Sequence, residues 1–340
     1  MAIEKMKIVA KSPCRVDLAG GTLDIWPLYL NHDNAVTVNF GLNLYTHARI
    51  ETRADKKIVI ETLDMGGREE FENIGALLAA RKFKLPLLAY ALRWYRPEMG
   101  LNLTTNSEAP AGAGISGSSS LLITLGAALN RLTKRGYSLE KIREVAQNIE
   151  AQIIQVPTGC QDYYPAMYGR VSAIELGCDG ITRKEILVDH EDLEARGVLV
   201  YTGKPRNSGI NNWEVTKLYI DGDKQVRRNF EKISAIANGM RRALEKADWN
   251  EVARLLREEW SFRRKNAPTI STDLIDELTE KTKKAGAKGS KVCGAGGGGC
   301  MFVLVERGAK EKVCQVVRDL GATVLDYRVA PAGVKVNVSA

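Results

Sequence analysis

The chain has 340 residues, 44% of them hydrophobic and 26% charged, with a formal net charge of +8. That length and balance suit a folded protein with room for two hydrophobic cores, and no apolar run reaches the ~18 residues of a membrane span. Lys and Arg are interleaved with acids, as in Arg254 to Lys265; this speaks against nucleic acid as the partner, and an anionic small substrate accounts for the surplus equally well.

The start, Met1 to Lys7, lacks the apolar core of a signal peptide. Residues 7–10 and 35–62 alternate apolar and polar positions, are rich in Val, Ile and Thr, and read as strands. Residues 74–95 read as helical through Leu77, Leu78, Leu88, Ala91, Leu92 and Tyr95, with a break at Pro86. A short strand at 101–105 leads into a Gly/Ser-rich loop. Beyond it Leu121, Leu122, Leu125, Ala128, Leu129 and Leu132 have helical spacing, and a second helix at 139–154 places Ile142, Val145, Ala146, Ile149 and Ile153 on one face. A strand at 170–176 and a turn at 177–180 follow. From 197 the pattern predicts a strand, charged helices at 224–246, 249–263 and 271–285, and strands at 291–294, 300–306 and 322–329. Blocks of strands and blocks of helices indicate an α+β protein rather than a regular parallel alternation, divided into residues 1–180 and 181–340. The six Cys (14, 160, 178, 293, 300, 314) form no CxxC pair and suit free thiols in a reducing cytosol. The three His (32, 47, 190) form no cluster of the kind that builds a zinc site.

Three glycine-rich segments carry the chemistry. The middle one, Pro110-Ala-Gly-Ala-Gly-Ile-Ser-Gly-Ser-Ser-Ser120, runs directly into a helix. Glycine lets the backbone turn tightly and approach a ligand, and the N-terminus of the helix offers unpaired N–H groups and the positive end of its dipole. The combination is a seat for phosphate, with Ser hydroxyls available to a phosphate or its Mg²⁺; the plain alternative is a flexible connection capped by Ser. Gly112-x-Gly114-x-x-Gly117 fits the dinucleotide fingerprint on paper. However, Thr104 to Glu108 before it is polar and Asn130 to Arg135 after it is basic, where that motif needs a buried strand and an acid. Gly112 to Gly117 also opens a Walker A motif, but Ser118 stands where that motif needs Lys. The other two segments are Ser12-Pro-Cys-Arg-Val-Asp-Leu-Ala-Gly-Gly-Thr-Leu-Asp24 and Lys291-Val-Cys-Gly-Ala-Gly-Gly-Gly-Gly-Cys300, the latter set between two apolar stretches.

In this order the three segments resemble the galactokinase, homoserine kinase, mevalonate kinase and phosphomevalonate kinase (GHMP) superfamily. The middle segment is similar to its P-x-G-x-G-L-[GS]-S-S-[SA] signature, departing from it at Ile115 and at Gly117. Gly20-Gly-Thr22 near Asp24, Pro157 to Asp162 and Tyr201 to Arg206 look most like the heptose-phosphate kinase branch. The resemblance implies the GHMP kinase fold, with an N-terminal ribosomal S5 domain 2-like domain and a C-terminal ferredoxin-like α/β sandwich. It also implies ATP and Mg²⁺ as cofactors and phosphorylation of a sugar or sugar phosphate, with D-glycero-D-manno-heptose 7-phosphate as the leading acceptor and its anomeric hydroxyl as the target. Other acceptors of the family (fucose, galactose, a hexuronic acid, mevalonate, homoserine) and a non-catalytic nucleotide and sugar sensor stay open, as does a monomer or a homodimer; no nucleic-acid or membrane partner is expected.

By the same resemblance, Pro110, Gly112, Ala113, Gly114, Ile115, Ser116, Gly117, Ser118 and Ser119 hold the phosphates, and Ser118 and Glu150 ligate Mg²⁺. Asp162 takes the proton of the attacking hydroxyl, and the Arg15 charge beside it favours the ionised base. Asp24 holds a pair of sugar hydroxyls, Gly20, Gly21 and Thr22 form the floor beneath them, and Gly296, Gly297 and Gly298 close the site. Lys204 and Arg206 grip an anionic group on the acceptor.

Overall fold

The computed structural model describes residues 6–204 and 208–339, with the backbone alone for 208–211. The first of two sheets has the order Lys335–Ser339, Lys7–Ala19, Ala35–Arg53, Gly100–Ser107, Ile58–Thr62, Gly67–Phe71. Its pairings are antiparallel except where Ile58–Thr62 runs parallel to Gly100–Ser107. The 19-residue strand Ala35–Arg53 serves two neighbours on its far side. Its second half pairs with Gly100–Ser107 and its first half with Val171–Gly177, which continues to Gly180–Glu185. The Lys7–Ala19 strand slips register between Pro13 and Cys14 and again between Asp17 and Ala19. Such irregularities re-aim the residues beside them, here Arg15 and the turn that starts at Gly20.

The second sheet, Thr323–Leu325, Gly197–Tyr201, Cys300–Val305, Ala287–Val292, is antiparallel throughout. The helices Lys224–Glu245, Trp249–Arg263, Asp273–Lys284 and Lys310–Asp319 accompany it. The sheets share one core: the Phe40 ring from the first meets Phe302 from the second edge-on at 5.6 Å, among Val16, Leu18, Met240 and Leu256.

The Gly117–Thr133 helix packs its apolar residues into a second large core, between the first sheet and the helices Pro86–Tyr95 and Leu139–Ile154, and a third, with Val200, Phe230, Val303 and Val313, lies among the second sheet and its helices. Pro86 marks the expected break: the 74–95 stretch is two helices, Ile74–Ala79 and Pro86–Tyr95, with Pro at the first turn where its missing N–H costs nothing.

Several elements depart from the sequence reading. Tyr163–Tyr168, His190–Arg196, Ser208–Ile220 and Lys310–Asp319 are helices, and Lys335–Ser339 is a strand on the first sheet. The expected division at 180/181 passes inside the Val171–Glu185 hairpin, and the last strand returns to the first sheet. All six cysteines are free thiols, and only Cys178 is exposed. Among the described residues no helix is long and apolar enough to cross a membrane.

Candidate active site

A cavity of about 430 Å³ runs along the Gly/Ser loop and continues to Asp24. Every loop residue from Pro110 to Ser119 lines it. The loop earns its glycines at Gly112 and Gly114, whose φ values of +68° and +72° are left-handed, and Ser116 follows at +70°. A left-handed residue at every second position turns successive amides toward one side and makes an anion-binding concavity. Within the loop the Ala113 N–H closes a turn on the Pro110 carbonyl. Gly117, where the signature carries Ser, begins the helix; a Cβ there would meet no atom within 4 Å. The departure therefore opens the cavity and leaves the backbone unstrained.

At the head of the helix the hydroxyls gather around one carboxylate. Ser118 Oγ donates to Glu150 Oε1 at 2.5 Å, Ser119 Oγ to Oε2 at 2.9 Å, and Tyr163 Oη to the same Oε2 at 2.5 Å. Glu150 is buried near the end of the Leu139–Ile154 helix. Burial raises its pKa, against the lowering effect of these three hydroxyls. An all-oxygen set of one carboxylate and a serine hydroxyl beside a phosphate seat fits a hard cation such as Mg²⁺, which takes few protein ligands and completes its shell from phosphate and water.

Arg15 ties the loop to Asp162. Its guanidinium donates from Nε to Asp162 Oδ1 at 2.8 Å and from Nη1 to the Gly114 carbonyl at 2.8 Å, while Nη2 lies 2.6 Å from the same Asp162 oxygen. Arg15 is 2% exposed and Asp162 29%. Burial works against the Arg15 charge, but Asp162 and Asp17 more than offset it, so its pKa is raised. Ser116 Oγ donates to the Asp162 carbonyl, a second tie between the two segments.

Asp24 closes the other end. Its Oδ2 accepts the Gln161 N–H at 2.8 Å, and Gly159 packs so tightly on the carboxylate that a Cβ there would lie 2.0 Å from Oδ2. Burial, then the nearby Asp162 charge, pushes Asp24 up to about 6, although the Gln161 amide pulls the other way. Thr22 lines the cavity, whereas Gly20 and Gly21 lie behind it. A Cβ on Gly20 would stand 2.3 Å from the Val36 carbonyl, and one on Gly21 2.7 Å from Gln161 Nε2.

The remaining expected positions fall differently. Gly296, Gly297 and Gly298 are not among the residues lining the cavity; Gly294 and Ala295 are. The protein's own backbone is what requires small residues there. A Cβ on Gly296 would lie 2.6 Å from the Ile270 carbonyl, and one on Gly298 3.0 Å from the Lys204 carbonyl. The Cys300 N–H bonds to the Ala113 carbonyl, so this loop braces the phosphate loop from outside. Lys204 is exposed and away from the cavity lining, and Arg206 lies outside the described residues. Sequence reasoning missed Tyr163, Gln161 and Asn212. Gln161 and Tyr163 flank Asp162 and could have been found by that adjacency; Asn212 reaches the cavity from a helix with no motif of its own.

Fold and site together place a Gly/Ser loop at a helix head with a carboxylate, a serine and an arginine-bound aspartate around it. The GHMP kinases N terminal domain matches residues 79–170 and the GHMP kinases C terminal domain residues 240–323, together just over half of the chain. The chain belongs to the GHMP kinases, phosphotransferases with a hydroxyl acceptor. It is 27% identical to a D-glycero-alpha-D-manno-heptose 7-phosphate kinase of Campylobacter jejuni, over 96% of this chain and 98% of that one. Its fold matches a D-glycero-D-manno-heptose 1-phosphate kinase from Bacteroides thetaiotaomicron with a TM-score of 0.77 at 24% identity, covering 97% and 98% of the two chains. It also matches Lactococcus lactis galactokinase complexed with galactose, with a TM-score of 0.79 at 19% identity over 97% and 95%.

Proposed function

We propose that this chain transfers the γ-phosphate of ATP to a hydroxyl of a sugar phosphate, with D-glycero-D-manno-heptose 7-phosphate as acceptor and its anomeric hydroxyl as the nucleophile. The observation that carries the reading is Arg15, which bonds to the Gly114 carbonyl of the phosphate loop and to Asp162 at once. One rigid guanidinium thereby fixes the spacing between the nucleotide end and the base. Phosphoryl transfer is mostly positioning and charge neutralisation, and this arrangement supplies both.

In this reading the loop amides hold the phosphates. Ser118 and Glu150 hold Mg²⁺, which when bound neutralises charge on the phosphates. Asp162 accepts the proton of the acceptor hydroxyl as that oxygen attacks. Arg15 keeps the carboxylate pointed at the hydroxyl, and Asp24 accepts hydrogen bonds from neighbouring sugar hydroxyls. Gly20 and Gly21, behind the wall, let the Thr22 turn pack close. Lys204 and Arg206 precede Asn212 in the chain and remain the cations proposed for the acceptor's own phosphate, although Lys204 does not line the cavity.

A second reading, a neutral sugar such as fucose or galactose, has one observation in its favour. Among the described residues lining the cavity the sole cation is Arg15, and it is already engaged by Asp162. An ADP-release assay with Mg·ATP and a panel of heptose 7-phosphate, fucose, galactose, a hexuronic acid, mevalonate and homoserine separates the readings. The first predicts the highest kcat/KM with the heptose phosphate. Faster turnover of a neutral sugar selects the second, and ADP release with no panel member contradicts both.

A further inference from the structure

Beneath the acceptor end of the cavity lies a buried set of charges. Asp17 and Lys291 pair at 2.6 Å and are both fully buried. Lys291 Nζ also donates to the Asp17 carbonyl at 3.0 Å. Asp17 Oδ2 accepts the Gly294 N–H at 3.2 Å. Glu259 Oε1 accepts Arg263 Nε at 2.8 Å, and this pair too is at most 4% exposed. Two cations and two anions balance. The fork of Arg263 has donors left over, and they point to the acceptor turn: Nη2 donates to the Gly21 carbonyl at 2.8 Å and Nη1 to Thr22 Oγ1 at 3.2 Å.

The direction of these bonds decides what happens next. An arginine can only donate, so Thr22 Oγ1 is the acceptor in its bond to Arg263, and its own hydroxyl proton is left to give. It gives that proton to Asn212 Oδ1 at 3.2 Å. The carboxamide is thereby oriented with its oxygen toward Thr22 and its NH₂ away from it. Asn212 lines the cavity together with Thr22 and Asp24, and its Nδ2 has no partner among the described residues.

We propose that Asn212 is an acceptor-binding residue whose NH₂ is aimed into the cavity by the relay Arg263 to Thr22 to Asn212, which makes Arg263 a positioning residue for acceptor specificity. A sugar hydroxyl can donate to one group and accept from another. Asp24 supplies only acceptor oxygens, and Asn212 supplies the complementary donor. A site that pairs both functions of a hydroxyl rejects a sugar lacking it more strongly than a pocket of matching shape alone. The inference rests on the reading that this end of the cavity holds the acceptor.

The test uses the full-length enzyme with Mg·ATP and the panel sugar it turns over fastest. Asn212→Ala should raise the acceptor KM about tenfold, the usual weight of one hydrogen bond to a substrate, and leave the KM for ATP within twofold. Thr22→Val, which keeps the shape and removes the hydroxyl, should give the same split, and Thr22→Ser should raise the acceptor KM less than threefold. Arg263→Lys, which keeps the charge and loses the fork, should resemble Thr22→Val. Asp24→Asn is the control for the underlying reading. If Asp24→Asn raises the acceptor KM and Asn212→Ala does not, the proposal is overturned. If neither does, the acceptor lies elsewhere, and the functional reading falls with the proposal.

Discussion

Asp24, proposed to hold acceptor hydroxyls, works against the fold. Its pKa is pushed up to about 6 by burial and by the Asp162 charge, against an ordinary value of 3.8. Between about pH 4 and pH 6 the folded chain keeps a proton that the unfolded chain has released. Stability contributed at Asp24 is therefore greatest below pH 4, falls as pH rises toward 6, and stays reduced above it, by roughly 3 kcal/mol for a two-unit shift. Asn can still accept the Gln161 N–H through its carbonyl oxygen. Asp24→Asn is thus expected to stabilise the ligand-free protein at pH 7.5 by about 1–3 kcal/mol while weakening acceptor binding, and the gain should vanish near pH 4. Melting curves from pH 4 to 8 check this; a variant less stable than the parent at pH 7.5 contradicts it. At this scale the sequence was informative where a motif concentrates the chemistry: Arg15, Asp24, Ser118, Glu150 and Asp162 all lie along one cavity or bond directly to its lining. Asn212 and Arg263 were illegible because they meet Thr22 across 190 and 241 positions of chain.

The contact between Ser118 and Glu150 depends on how two helices cross. Gly126, in the middle of Gly117–Thr133, lets Leu139–Ile154 approach: a Cβ there would stand 2.7 Å from Ile142 Cγ2 and 3.2 Å from Tyr95 Oη. That approach brings Glu150 to Ser118. Alanine would gain up to about 1 kcal/mol of helix preference but overpack the crossing at a cost of about 1–3 kcal/mol. Gly126→Ala should therefore lower stability by about 1 kcal/mol in urea unfolding and raise the Mg²⁺ concentration for half-maximal activity several-fold. Unchanged Mg²⁺ dependence in a destabilised variant would separate the crossing from the metal site. Both helices were readable from period-3.6 apolar spacing, because each presents a long stripe to the core. Lys310–Asp319 was not: its buried Val313, Cys314 and Val317 are few, two of them β-branched, and its ten residues lie between two strands. Tyr163–Tyr168 has only six residues and starts directly after Asp162, where tertiary contacts rather than local periodicity set the backbone.

Across the whole molecule, two sheets form one body around a site that draws on both. The Lys291–Asp17 pair bridges the second sheet to the first. Burial alone would raise Asp17, but Lys291, Arg263 and Arg15 hold it down at about 2. Its contribution to stability is therefore present above about pH 4 and lost as pH falls toward 2. Lys291→Met leaves that carboxylate without its main partner and should cost about 3–5 kcal/mol at neutral pH, with a smaller deficit near pH 3, where Asp17 takes up a proton in the variant; guanidinium unfolding at both values tests this. The α+β plan was legible from the grouping of strands and helices, whereas the expected two cores are three large ones, the first shared by both sheets. The return of Lys335–Ser339 to the first strand was not, because its pairing with Lys7–Lys11 joins opposite ends of the chain.

In the proposed reaction Asp162, held against the Gly/Ser loop by Arg15, takes the acceptor's proton. The decisive experiment measures, on one preparation of Asp162→Asn, both ADP release in the presence of acceptor and affinity for Mg·ATP by calorimetry. Turnover should fall at least ~10²–10⁴-fold, the weight of a positioned general base, with nucleotide affinity within about threefold of the parent. Near-normal turnover with intact nucleotide binding would contradict it.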